Sequence, residues 1–136
     1  MLPYGTKLFK EGDRVVKILL VGYSATWKQR VLGALPDEAD VTIKGDQLEA
    51  AIMQERATFD LYILGNRLLS ETRAAVYLLE EAQIVEDKTP TIVFSQEFDA
   101  PAADRIVELG ATLIRSDATD ADELLAQSVR KLLKIA

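Results

Sequence analysis

The chain has 136 residues, a net charge of −6, and neither cysteine nor histidine. This length fits one domain that buries a core of its own. Without cysteine there are no disulfides, thiolate metal sites or thiol nucleophiles, and without histidine the commonest general base and metal ligand is missing. Much enzyme chemistry is thereby excluded.

The charge and the apolar pattern also limit the partners. A net negative protein repels a polyanion unless a basic stripe compensates, and the sequence shows no such stripe. No apolar run approaches the roughly 18 residues of a membrane span, and residues 1–5 lack the basic and apolar regions of a signal peptide. We therefore expect a cytoplasmic protein that binds neither nucleic acid nor membrane.

Short apolar runs predict the strands of a sheet. The clearest, residues 15–21, is rich in leucine and β-branched residues and ends at Gly22, a pattern typical of a strand buried on both faces. Three similar runs and a weaker fifth follow it. They lie at residues 41–43, 61–64, 91–94 and 111–115.

Between these runs apolar residues recur at helical spacing, which predicts five helices. The first helix ends at Pro36, and the second begins at Asp46, where Asp46 and Glu49 form a candidate capping box. The third runs from after Ser70 to Asp87, the fourth from near Pro101 to Gly110, and the fifth begins at about Thr119. Their expected apolar faces comprise Trp27, Val31, Ala34 and Leu35; Leu48, Ala51 and Ile52; Ala74, Ala75, Leu78, Leu79 and Ala82; and Ile106, Val107 and Leu109.

Alternation of strands and helices predicts a parallel sheet covered on both faces, which with five repeats is a three-layer, flavodoxin-like (βα)5 fold. We assign it to residues 15–136. Residues 1–14 are either an arm packed on this domain or a disordered or vector-derived tail. Chemistry in such sheets collects at the carboxyl ends of the strands. Those positions are Gly22-Tyr23, Gly65-Asn66, Ser95-Gln96 and Ser116-Asp117.

Residues 17–133 resemble, in order and spacing, the receiver domain of bacterial response regulators. The resemblance is carried by segments Lys17–Val21, Gly45–Ala51, Phe59–Leu64, Thr89–Ser95, Glu108–Ala111 and Asp122–Leu125. It implies the flavodoxin-like fold that the periodicity predicts, and a place in two-component signal transduction and phosphorelay.

The resemblance also identifies where the family's phosphorylation chemistry would lie. The two acids that hold Mg²⁺ in receivers fall on Gly22 and Tyr23, and the Asp that accepts the phosphoryl group falls on Gly65. Asp60 cannot replace that acceptor, because five strand residues at roughly 3.3 Å each put it about 16 Å away.

The remaining family positions are changed as well, with one exception. The hydroxyl residue after the fourth strand is kept as Ser95, although a serine at a strand end is also a common turn or cap residue. The family's lysine falls on Asp117 and its switch aromatic on Ile114; a one-residue slip would offer Arg115 as the cation.

These positions imply a degenerate receiver, or pseudo-receiver. We expect no enzymatic activity, no cofactor and no metal, and a function through contact with a protein partner. In receivers the last two helices and the strand between them often form the dimer or output face, which points to residues 101–133 for a partner or a homodimer.

Three alternatives remain. In the first, a flavodoxin-like domain binds an anion or a flavin at residues 22–26 and 65–67. The structural interpretation of the same residues is a helix cap beside a pocket filled by Tyr23, with Arg67 in solvent. A genuine phosphorelay receiver would need another acceptor. A cation would be held by the loop acids, which are Glu97, Asp99 and Asp117. Trp27 is expected to be core or partly exposed packing, with an interface role as the alternative.

Overall fold

A computed structural model describes residues 15–22, 24–45, 58–65, 74–96 and 99–134. In these ranges the chain forms five strands and four helices. They are β1 Lys17–Val21, α1 Ala25–Gly33, β2 Asp40–Lys44, β3 Leu61–Leu64, α2 Ala74–Ile84, β4 Thr91–Ser95, α3 Ala100–Glu108, β5 Thr112–Arg115 and α4 Ala121–Leu133. The predicted second helix, the predicted start of the third and the N-terminal segment 1–14 lie outside the described residues.

The strands form one sheet in the order β2-β1-β3-β4-β5, and every neighbouring pair is parallel. The order reverses after β2, which is the doubly wound arrangement that strict strand and helix alternation predicts. Because parallel strands point the same way, the residues that follow β1, β3 and β4 meet at one edge of the sheet. The predicted fold class is confirmed.

Helices cover both faces of the sheet. One face packs on α2 and α3, and the other packs on α1 and α4. Alternate residues of the central strands divide between the two cores: Leu19, Val21, Leu64 and Val93 join the first, and Ile18, Leu20, Ile63, Ile92 and Phe94 join the second. This division explains why the central strands are apolar along their whole length.

Two expectations about burial are wrong. The second strand was expected to be buried like the first, but β2 lies at the edge of the sheet and Ile43 is 39% exposed. Val107 was expected on the buried face of its helix, but it is 60% exposed, because Ala102 and Ile106 are the residues of α3 that reach the core.

The helix ends are set by local backbone chemistry. Helix α1 ends at Gly33 instead of continuing to Pro36, and α4 begins at Ala121 after Asp120 instead of at Thr119. Helices α2 and α3 both end in a left-handed residue, Glu86 with φ 58° and Gly110 with φ 91°. In each case the amide of this residue and the amide of the residue after it donate to carbonyls of the last turn, which is the Schellman pattern.

None of the helices in the described part of the chain combines the length and the apolar character needed to cross a membrane.

Candidate functional site at the carboxyl edge

Two glycines stand side by side at the carboxyl edge of the sheet. Val21 pairs with Leu64 in the β1–β3 register, so Gly22 and Gly65 come next on the two adjacent strands. Both are buried. The Gly65 amide donates to the carbonyl of Val21 at 2.8 Å, and the Gly22 amide donates to that of Lys44 at 2.9 Å. The backbone at both positions therefore continues the sheet without providing any side chain.

The indole of Trp27 lies over these glycines. A Cβ atom built on Gly22 would be 2.6 Å from Trp27 Cε3 and Cζ3, and one built on Gly65 would be 3.6 Å from Cε2. The indole Nε1 donates a hydrogen bond of 2.6 Å to the carbonyl oxygen of Phe94 in β4. A single ring thus contacts the ends of three neighbouring strands, β1, β3 and β4.

The start of α1 directs Trp27 to this place. Ser24 caps the helix, and its hydroxyl oxygen accepts a hydrogen bond from the Trp27 amide at 3.3 Å. Val31 follows one turn later and is fully buried, so the same helix face continues into the core. The structural interpretation of this loop as a helix cap is confirmed for Ser24. The expected filling of the pocket by Tyr23 cannot be compared, because that residue lies outside the described ranges.

Arg30 extends this set of contacts to the last helix. Its guanidinium lies 4.9 Å from the centroid of the Phe94 ring. Its Nη2 is 2.8 Å from Oδ1 of Asp122, in the first turn of α4. Two residues of α1 three positions apart, Trp27 and Arg30, therefore hold Phe94 by its carbonyl and by its ring.

The other predicted site residues lie along the same edge. Ser95 is the last residue of β4, is buried, and accepts a backbone hydrogen bond from the Ser116 amide. Asp117 lies in the turn after β5, with Oδ1 3.4 Å from Nε of Arg115, and both side chains are about half exposed. Ile114 is buried beside Phe94. The charge at position 117 is therefore balanced by its own neighbour.

Of the remaining candidates, Asp99 was considered as a cation ligand and Asp60 as a substitute phosphate acceptor, and each accepts a hydrogen bond from a backbone amide. Asp99 is the N-cap of α3, and its Oδ1 accepts from the Ala102 amide at 2.9 Å. Asp60 lies at the opposite edge of the sheet, as expected, where Oδ2 accepts from the Lys17 amide at 2.8 Å. Glu97 and Arg67 lie outside the described residues. In the described part of the chain no three acidic side chains gather as a metal site would require.

The sequence predicts Trp27 as core or partly exposed packing, and this is confirmed, because Trp27 is partly buried against the core on the α1 and α4 face. Sequence reasoning did not find that its ring covers the two glycines. A usable signal was present: a large aromatic residue in the first turn after Ser24, together with a glycine after each of two predicted strands. Because Gly22 and Gly65 lie side by side and neither has a Cβ, the sheet surface above them is flat, and an indole packs well on such a surface. The contact of Arg30 with Asp122 spans 92 residues and left no local signal.

A cavity of about 320 Å³ lies at the opposite, amino edge of the sheet, between the ends of α2 and α3. Asp87 forms part of its wall and accepts hydrogen bonds from the Tyr62 hydroxyl and from the amide and hydroxyl of Thr89. Burial raises the pKa of Asp87, but these hydrogen bonds outweigh burial and lower the pKa below its ordinary value. The carboxylate closes the loop between α2 and β4, which is a structural role.

Solved structures similar to this chain include receiver domains. The signal receiver domain of an HD domain-containing protein from Pseudomonas fluorescens Pf-5 matches with TM-score 0.75 and 20% identity, over 89% of this chain and 88% of that one. A CheY-like receiver domain protein from Methanospirillum hungatei JF-1 matches with TM-score 0.73 and 18% identity, over 89% and 96%. The Mn²⁺-bound form of the response regulator Rcp1 matches with TM-score 0.71 and 20% identity, over 89% and 96%.

No protein-family model matches the sequence, and no curated protein matches it. The likeness to solved structures covers nearly nine tenths of the chain, and it includes the strand order and the layers described above. The polypeptide therefore has the fold of a response-regulator receiver domain, which is the doubly wound, flavodoxin-like fold.

Proposed function

We propose that this chain is a receiver-like signal transduction domain that works through protein contacts and is not switched by aspartyl phosphorylation. One observation carries the proposal. At the carboxyl edge, where the resemblance places the phosphate acceptor and a magnesium ligand, Gly65 and Gly22 stand under the indole of Trp27. The domain is accordingly proposed to be without enzymatic activity.

The chemistry at this edge supports the proposal. An acyl phosphate needs a carboxylate nucleophile, and Mg²⁺ needs several oxygen ligands held at short distance. Glycine offers neither. Phosphoryl transfer depends on positioning and on neutralising charge, so an apolar ring in place of a cation would provide no partial catalysis.

The proposed interaction face comprises α3, β5 and α4, within residues 101–133. On this face Val107 is 60% exposed and Leu124 is 39% exposed. Exposed apolar side chains on a face that receivers use for assembly favour a protein partner or a second copy of the chain.

The alternative of an anion or flavin site has less support. It placed the ligand at residues 22–26 and 65–67, and the Trp27 ring packs against both glycines there. A planar ligand would have to displace an indole that is hydrogen-bonded to Phe94. No contact in the described residues favours such a ligand.

Phosphorylation tests the first part of the proposal. The protein is incubated with Mg²⁺ and acetyl phosphate, or with Mg²⁺ and beryllofluoride, and followed by intact mass and thermal unfolding. We expect no phosphoryl adduct and no change in Tm. The variant Gly65→Asp should also stay unmodified, because an acid at position 65 alone leaves the magnesium site without its other ligands. A labile phosphoryl group on the unmodified sequence would refute the proposal.

Self-association tests the proposed face. Sedimentation over a range of protein concentrations is compared for the unmodified chain, Val107→Glu and Val85→Glu. Val85 is 62% exposed and lies just after α2, outside residues 101–133, so it serves as the matched control. A homodimer through this face would be weakened by the change at 107 alone. Equal weakening by both variants would contradict assembly through this face.

A further inference from the structure

Trp27, Phe94, Arg30 and Asp122 form one continuous set of contacts, which we call the Trp27 network. It begins at the two glycines, where the indole packs, and passes to β4 through the hydrogen bond from Nε1 to the Phe94 carbonyl. Phe94 is fully buried, so it cannot move without disturbing the core on the α1 and α4 face.

The network continues from Phe94 to the amino end of α4. Arg30 lies over the Phe94 ring and bonds to Asp122 through Nε at 2.9 Å and Nη2 at 2.8 Å. Asp122 is in the first turn of α4, two residues before the exposed Leu124. The contacts therefore run from the carboxyl edge to the face proposed for protein binding.

An ion pair this exposed contributes little alone, because Asp122 is 70% exposed and long side chains lose entropy when they are held. Here the guanidinium also lies over a buried ring, 4.9 Å from its centroid, which restricts Arg30 before it meets the carboxylate. Trp27 in turn holds the backbone of that ring. The pair should therefore depend on the indole.

We propose that Trp27 acts as a built-in substitute for an effector at this edge. The indole, instead of a bound or covalent group, holds α1, β4 and the amino end of α4 in one arrangement and so presets the interaction face. This inference rests on the proposed function for the meaning of that face. The mechanical link itself does not depend on it.

Hydrogen exchange measures the link. Trp27→Phe keeps an aromatic ring and removes the indole N–H. The readout is native-state exchange of the Leu124 and Leu125 amides; the Leu124 amide bonds to the Asp120 carbonyl at 3.0 Å. Ile106→Val is the control, since it trims a buried side chain on the opposite face, in α3. We expect Trp27→Phe to speed exchange at these amides about fivefold more than the control does.

A second variant tests the same path from its far end. Asp122→Asn should speed exchange at Leu124 by a similar factor, and the double variant with Trp27→Phe should add little further. Arg30→Lys, which keeps the charge and loses the planar guanidinium, should behave likewise, and it provides the test if Trp27→Phe does not fold. Exchange equal to that of the control, or full additivity of the two single variants, would overturn the inference.

The outcomes separate this inference from the proposed function. If exchange is unchanged and no phosphorylation occurs, the link from Trp27 to α4 is refuted and the proposed function is retained. If exchange is accelerated and the unmodified chain carries a phosphoryl adduct, the link is supported and the proposed function is refuted.

Discussion

Trp27 lies so close to Gly22 that a Cβ atom at position 22 would be 2.6 Å from two of its ring carbons. Real Cβ contacts essentially never reach this distance, so the ring in this position requires a residue without a Cβ at 22, and the ring fills the space that the glycine leaves. The resemblance to receivers places an acid at position 22. An aspartate there would meet the indole before it met any metal.

The first prediction concerns this close approach. Gly22→Ala should lower the free energy of unfolding by about 1–3 kcal/mol, because the added methyl group forces the buried ring or strand to shift. Gly33→Ala is the matched control, since a Cβ there meets nothing within 4 Å. In the last turn of α1 it should raise the free energy of unfolding by roughly 0.5–1 kcal/mol. Urea denaturation of both variants measures the difference.

The double variant Gly22→Ala with Trp27→Ala tests whether the indole causes the predicted loss of stability. If the ring causes the loss, Gly22→Ala should cost much less in that background than in the unmodified protein. An equal cost in the two backgrounds would mean that the strain lies in the strand and not in the indole contact.

The second prediction concerns pH. The pKa of Asp87 is lowered in the folded protein, so ionised Asp87 favours folding. This contribution is present above an unfolded pKa of about 3.9 and is lost as the pH falls through the lower folded pKa. Asp87→Asn should therefore destabilise the protein near neutral pH by about 1 kcal/mol, because water screens this partly exposed carboxylate. The difference in stability between Asp87→Asn and the unmodified protein should become smaller as the pH is lowered. Thermal unfolding from about pH 7 to about pH 3 measures both curves; parallel curves would contradict the prediction.

The third prediction concerns the end of α2. Glu86 adopts φ 58°, a left-handed conformation that an L residue with a Cβ adopts at a cost of about 1–2 kcal/mol. Glu86→Gly should relieve that cost and raise the free energy of unfolding by about 0.5–1 kcal/mol after the entropy cost of glycine. Glu123→Gly, the same substitution within α4, should lower the free energy of unfolding by about 0.5–1 kcal/mol. A loss in both variants would show that Glu86 carries no strain.

The fourth prediction compares two aspartates that precede helices. Asp99 accepts a hydrogen bond from the Ala102 amide, whereas Asp120 makes no side-chain cap bond to α4. Asp99→Ala should lower the free energy of unfolding by about 1 kcal/mol, and Asp120→Ala by only a few tenths. Equal losses would show that charge near the helix start matters more than the cap bond. Chemical denaturation at high salt, which screens charge, separates these causes.

The periodicity of the chain predicted the architecture well, for a local reason. Residues 61–64 are apolar throughout and form the central strand β3, while Ala74, Ala75, Leu78 and Leu79 repeat at helical spacing and are buried. Such patterns reflect which side of an element faces the core, and neighbouring residues alone encode this. Edge position is different. Residues 41–43 look like a central strand, and only the assembled order places β2 at the rim.

The sequence by itself determined the five strands, the four helices that the structure describes, and the glycine that follows β1 and β3. The tertiary structure alone decided what fills the space above those glycines, and it joined Phe94 to a residue 67 positions earlier. The reason is physical: hydrophobic spacing determines which faces become buried, whereas the partner across a packed interface depends on how separate elements come together in space.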